Sequence, residues 1–408
     1  MSQSSVSTRS YPFILIMLAL GYMVDFYDLT IFAAARVPIL QHLGVPPEQY
    51  METSAFLFNI QALGILVGGL TFGVWGDKIG RMSSIRMGIF IYSVATLLNV
   101  YTQTVNSFAT VRFFAGVGLA AELGASITLL SEITSAKKRS LASGMVYFFG
   151  VVGGILATFI GSAFSWQTMF VVGGVAGLLL LIFRFAYADS VIFNNLKEQT
   201  QVVRGSLAHL FFKTNSLKRI LFLTLGVVPF WFMAFFVNFA PEIARSVGLP
   251  EEPNQSYALA LYFVGSLFGT FAFPLIAIKI SSAKKSIFLA FILMLVALSI
   301  FTAGPLLSIE AFYAVLFLMG FACGYPGIFM TFIAESFGTN QRATACSFVS
   351  CFARSSLIFI NILVPFLSNL FQSMLWGACV AALFIFTIAS LPLLGMKETH
   401  QKEINFTE

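Results

Sequence analysis

The chain has 408 residues, 58% of them hydrophobic and only 10% charged, with 47 Phe and a formal net charge of +6; its mean hydropathy is +0.89. That balance excludes a water-soluble globular body. In a soluble protein the positive charge would suggest nucleic acid or an acidic partner, but here the basic residues sit in alternate loops, where they act as topology signals and imply no nucleic-acid partner.

A bilayer core of about 30 Å takes roughly 20 apolar residues per helical span. Runs of that kind cover residues 11–36, 52–75, 85–104, 107–134, 140–163 and 166–188, and a second series covers 220–240, 256–280, 285–306, 308–335, 343–369 and 374–395. They are continuously apolar rather than alternating, which favours helices over barrel strands. The expected fold is therefore an all-α membrane protein of twelve transmembrane helices. The first run is too long for a signal peptide, has one weak positive flank at Arg9 and carries Asp25 and Asp28, so it is expected to remain in the mature protein.

The polar stretch 189–219 divides the spans six and six, giving an N-terminal bundle over 1–188 and a C-terminal bundle over 220–408. Lys78, Arg81 and Arg86 follow span two, Lys137, Lys138 and Arg139 follow span four, Lys279, Lys284 and Lys285 follow span eight, and Arg342 follows span ten. By the positive-inside rule these loops, the linker and both termini face the cytoplasm of a cell whose inner (plasma) membrane holds the chain.

Span one contains Asp25-Phe26-Tyr27-Asp28, two carboxylates three residues apart on one helical face at about mid-membrane depth. Acids held there either load and unload protons or substrate, or pair with a buried Arg that ties helices together. The loop after span two reads Gly73-Val74-Trp75-Gly76-Asp77-Lys78-Ile79-Gly80-Arg81-Met82. Its glycines allow a tight turn and close helix approach, and Asp77 with Lys78 or Arg81 can form a charge latch that breaks when two halves rock. Span four begins with Arg112 and continues through Gly116, Gly118, Glu122 and Gly124 to Glu132, with Arg139 beyond it. Arg112 is either a functional cation or one that snorkels to the outer interface. Glu122 is a third mid-membrane acid, and Glu132 is expected to pair with Arg139 or the latch loop.

The second half repeats the first: Glu132, Arg139 and Gly124 recur 203 positions on as Glu335, Arg342 and Gly327. Parallel six-span repeats are a transporter plan with the substrate site at the midplane between halves. Arg354 lies about mid-membrane in span eleven, where it can bind a carboxylate bidentately or neutralise Asp25, Asp28 or Glu122. Tyr27, Asn59, Gln61, Phe230, Trp231, Asn238 and Tyr325 are candidate cavity-wall residues. His42, His209 and His400 lie outside the spans, which disfavours a histidine relay. The spacing of Cys323, Cys346, Cys351 and Cys379 suits packing rather than a metal or disulfide framework.

The loop after span two resembles the G-x-x-x-D-[RK]-x-G-[RK]-[RK] signature of the major facilitator superfamily, lacking only the last basic position, and span four is similar to that superfamily's R-x-x-x-G-x-G and E-x(6)-R patterns. The resemblance implies two pseudo-symmetric six-helix bundles and alternating access. The first third also looks like the superfamily's metabolite:proton symporter branch, through Asp25-Phe26-Tyr27-Asp28-Leu29 and Gly68-Gly69 to Arg81. It departs from that branch in having Tyr22 for Asn, Asp25 for Glu and Ile65-Leu66 for Arg-Pro.

These features point to a secondary transporter, expected as a monomer, that takes up a small zwitterion or organic acid with protons. Export of a small or cationic solute, or a sensor that binds without flux, are the alternatives. No G-x-x-x-x-G-K-[ST] or H-E-x-x-H sequence occurs, so neither an ATP motor nor an intramembrane zinc enzyme is indicated, and no cofactor is expected.

Overall fold

In hydrocarbon each backbone polar group must be satisfied within the protein, and a long apolar run does this by coiling into a helix. The computed structural model describes residues 11–185, 214–301, 308–338, 340–396 and 398, and among them the regular structure is helical. The first half comprises α1 (Tyr11–Ala34), a short α2 (Arg36–His42), α3 (Tyr50–Lys78), α4 (Arg81–Asn99), α5 (Val105–Ile133), α6 (Ala136–Ala163) and α7 (Trp166–Arg184). The second comprises α8 (Thr214–Asn238), a short α9 (Ala240–Ser246), α10 (Gln255–Lys279), α11 (Ala283–Phe301), α12 (Ile309–Ala322), α13 (Pro326–Ser336), α14 (Arg342–Phe371) and α15 (Met374–Gly395).

Among the described residues, eleven helical segments are long and apolar enough to cross a membrane, α12 and α13 together making one of them. The twelfth span is α4, whose hydropathy is lowered most by Arg86 and further by three polar residues, Ser84, Ser93 and Asn99. All three are buried in the bundle, and the Ser84 hydroxyl donates to the Phe72 carbonyl at 3.0 Å. Span ten, expected as one continuous run over 308–335, breaks between Ala322 and Pro326. Proline has no N–H to continue the ladder, and it takes the first position of α13 instead. Most of the expected linker over 189–219 lies outside the described residues, but positions 214–219 already belong to α8.

The halves meet along two seams related by the internal repeat. In one, α3 and α5 pack on α14; in the other, α10 and α13 pack on α6. Gly124 and Gly327, the repeat-related glycines, each sit at one seam. A Cβ on Gly124 would lie 2.4 Å from the Ser347 Cα, and one on Gly327 would lie 3.0 Å from the Gly144 Cα. Hydrogen in place of a side chain is what allows these backbones their approach.

Candidate functional site

Three buried ion pairs stack along α1. Arg112 on α5 reaches Asp28, its Nη1 at 3.3 Å from Oδ2 and its Nη2 donating to the Asp28 carbonyl at 3.2 Å; Thr96 donates to the other carboxylate oxygen at 2.5 Å. Arg112 therefore does not snorkel: it is 1% exposed. Arg354 on α14 reaches Asp25, Nη2 to Oδ2, at 3.2 Å. Arg184, the last residue of α7, holds Glu122 bidentately at 2.7 and 2.9 Å and donates to the Met17 carbonyl at 3.0 Å. From Met17 to Asp28 the α1 axis rises roughly 16 Å, so the pairs occupy successive levels of the membrane interior.

The pairs differ in completeness. Both oxygens of Asp28 are engaged, and Glu122 also accepts from Ser126 at 3.1 Å. Asp25 Oδ1 and Arg354 Nη1 have no hydrogen-bond partner. The Asp28 and Glu122 pairs join helices of one half, whereas Asp25–Arg354 joins the two halves. Sequence reasoning missed Arg184, although its signal was present: a cation four residues short of the end of the expected apolar run.

Beside Arg354 lies a cavity of about 80 Å³ between α1 and α3 on one side and α8, α10 and α14 on the other. Gln61, Phe230, Trp231 and Asn238 line it, as does Ile65, which occupies the position of the branch motif's Arg. Two other expected wall residues are engaged elsewhere. The Tyr27 hydroxyl donates to the Met169 carbonyl at 3.0 Å inside the first bundle. The Tyr325 hydroxyl donates to the Gly226 carbonyl at 3.1 Å, one turn before Pro229, where the proline interrupts the α8 ladder. Asn59 accepts from Asn361 at 2.8 Å across the α3–α14 seam.

At the end carrying the motif loop, the charges cross between halves. Arg139 meets Glu335 at 2.7 Å and Arg342 meets Glu132 at 3.6 Å, so each Arg reaches the repeat-related Glu of the other half, a crossing that spacing along the chain did not announce. Each Arg also donates to a carbonyl of its own half, Arg139 to Ser131 at 3.3 Å and Arg342 to Ala334 at 3.0 Å. Asp77 accepts from the Thr344 backbone N–H at 2.7 Å and from its hydroxyl at 2.5 Å. A carboxylate from one half thus caps the N-terminus of α14 in the other, where the helix dipole favours negative charge. Gly80 has φ 144°, a backbone conformation suited to glycine. Lys78 is exposed, and Arg81 opens α4.

The opposite end is bridged as well. Arg36 of α2 pairs with Glu242 of α9 at 2.7 Å and lies 5.2 Å over the Phe239 ring. Sequence reasoning did not single out this pair: Arg36 is the last residue of the first apolar run, and Glu242 lies in a short helix just beyond the run that ends at 240.

Two helical bundles related by repeat, with crossed charges at one end and a central cavity beside the Arg354–Asp25 pair that joins the halves, match the two-half plan of membrane transporters. Residues 18–361 match the family model of the Major Facilitator Superfamily, and the chain belongs to that family. It is 28% identical over 200 residues to a benzoate transport protein of Acinetobacter baylyi, covering 47% of this chain and 42% of that one. It is 24% identical to a putative niacin/nicotinamide transporter, NiaP, of Bacillus subtilis, over 94% of this chain and 96% of that one. The solved structure of the proton:xylose symporter XylE superposes with a TM-score of 0.78 at 16% identity, covering 98% of both chains.

Proposed function

We propose that this protein is a secondary transporter that takes up a small organic acid together with a proton, by alternating access across an inner (plasma) membrane with both termini cytoplasmic. The observation that carries the reading is the incomplete Asp25–Arg354 pair. Its free Arg354 nitrogen and free Asp25 oxygen are one donor and one acceptor, which suit a substrate carboxylate and a proton respectively. Protonation of Asp25 releases Arg354 to the substrate, and loss of both restores the pair, so the loaded and empty sites are each close to neutral. Among the described residues Arg354 is the one charged residue lining the cavity, which favours an anion over a cation or zwitterion. The names of the benzoate and niacin relatives support the same chemistry.

Asp28 and Glu122, each saturated within one half, hold helices together in this reading. Asp25→Asn in proteoliposomes tests it, with benzoate and nicotinate as probes. The variant retains exchange of substrate down its gradient and loses accumulation driven by an imposed pH difference. Undiminished accumulation by Asp25→Asn would overturn the coupling assignment; saturable binding to the wild type without exchange would identify a sensor.

A further inference from the structure

We propose that Gln61 and Arg354 together seat a single substrate carboxylate, and that the chamber around them accepts only a body without a second charge, making Gln61 a specificity-determining residue. This rests on the organic-acid reading above and names the geometry of its site. Gln61 comes from α3 in the first half and Arg354 from α14 in the second, and both line the cavity. They are 4% and 2% exposed, and Gln61 Nε2 and Arg354 Nη1 have no hydrogen-bond partner. Buried donors without acceptors are disfavoured strongly enough that two of them on one cavity point to a ligand that accepts from both.

A carboxylate has two oxygens and only accepts, which matches two donors supplied by the packed helices α3 and α14, one from each half. Gln61 adds a hydrogen bond without adding charge. Arg354 can therefore neutralise either Asp25 or one substrate carboxylate, and no cation on the lining remains for a second carboxylate. Phe26, Phe58, Phe230, Trp231 and Phe263 supply much of the remaining wall, and among the described residues neither Asp nor Glu lines it to receive an ammonium. The seat holds one carboxylate that accepts from a donor on each half, so occupancy also links the halves where the Asp25–Arg354 pair otherwise does.

The test uses the full-length protein, with quenching of Trp231 fluorescence for binding and counterflow in proteoliposomes for transport. The probes are 4-methylbenzoate, terephthalate and 4-(aminomethyl)benzoate, which share one ring and one carboxylate and differ in the group opposite. In the wild type, 4-methylbenzoate binds at least roughly ten-fold tighter than either charged analogue, the scale set by an unpaired charge in an apolar wall. Gln61→Leu raises the counterflow KM for 4-methylbenzoate by roughly ten-fold, the loss of one hydrogen bond to a charged group, with the maximal rate retained. Gln61→Glu, which keeps the volume and opposes the carboxylate, abolishes binding. Unchanged KM in Gln61→Leu, or terephthalate bound as tightly as 4-methylbenzoate by the wild type, overturns the seat while organic-acid transport stands. Failure of the wild type to bind or exchange any carboxylate, benzoate and nicotinate included, overturns the reading on which the seat rests.

Discussion

Neutralising Glu335 should unlatch the protein at the end carrying the crossed charges. Glu335 and Arg139 are 2% and 3% exposed and 2.7 Å apart. Removing one partner of a buried pair is destabilising by about 3–5 kcal/mol, because the other charge stays out of water. The penalty applies only while the halves are closed at this end, since their separation lets Arg139 hydrate. Arg139 keeps its bond to the Ser131 carbonyl, so the lower figure applies, and about 3 kcal/mol shifts the closed-to-open ratio roughly a hundred-fold. Cys351 can report the shift. It is buried, its thiol donates to the Ala120 carbonyl at 3.6 Å across the seam, and the other cysteines can be replaced by Ala. In inside-out vesicles, Glu335→Gln should label with a membrane-impermeant maleimide far faster than the parent. An unchanged labelling rate in Glu335→Gln would refute the latch.

Two further outcomes separate structural from functional charges and fix the orientation. Glu122→Gln leaves Arg184 buried with reduced compensation and should lower unfolding stability by about 3 kcal/mol or more, seen as a drop in the thermal midpoint, while each folded molecule still couples uptake to protons; a normal midpoint with lost coupling would reverse the roles of Glu122 and Asp25. Lys138 is exposed at the latch end, so Lys138→Cys in a cysteine-free background should label only from the cytoplasmic side, and labelling of intact cells by an impermeant reagent would invert the topology.

The amino-acid sequence by itself determined the spans, their division into two repeated halves and the family. Each depends on features local in the chain: apolar run length, the alternation of basic loops and the Gly73–Arg81 motif. It also identified Asp25, Asp28, Arg112, Glu122 and Arg354, because an ionised group inside an apolar run is conspicuous, but it passed over Arg184 and Arg36, which stand near the ends of their runs. Partners were another matter. Spacing suggested Glu132 with Arg139, seven residues apart, or with the latch loop, and did not reveal the contacts that cross between halves, Arg139 with Glu335 and Arg342 with Glu132, because the two-fold relation that sets one half's Glu opposite the other half's Arg exists only in the packed structure. Asp25, Asp28 and Glu122 look alike in sequence, and only packing distinguishes the two carboxylates saturated within one bundle from the one left with a free oxygen between bundles. Gln61, Tyr27 and Tyr325 were equivalent as wall candidates. The direction in which each helix turns its side chains decided that Gln61 reaches the cavity while the two tyrosines close carbonyls inside their own halves, since helix rotation about its axis is set by long-range contacts and not by the residues of the helix alone.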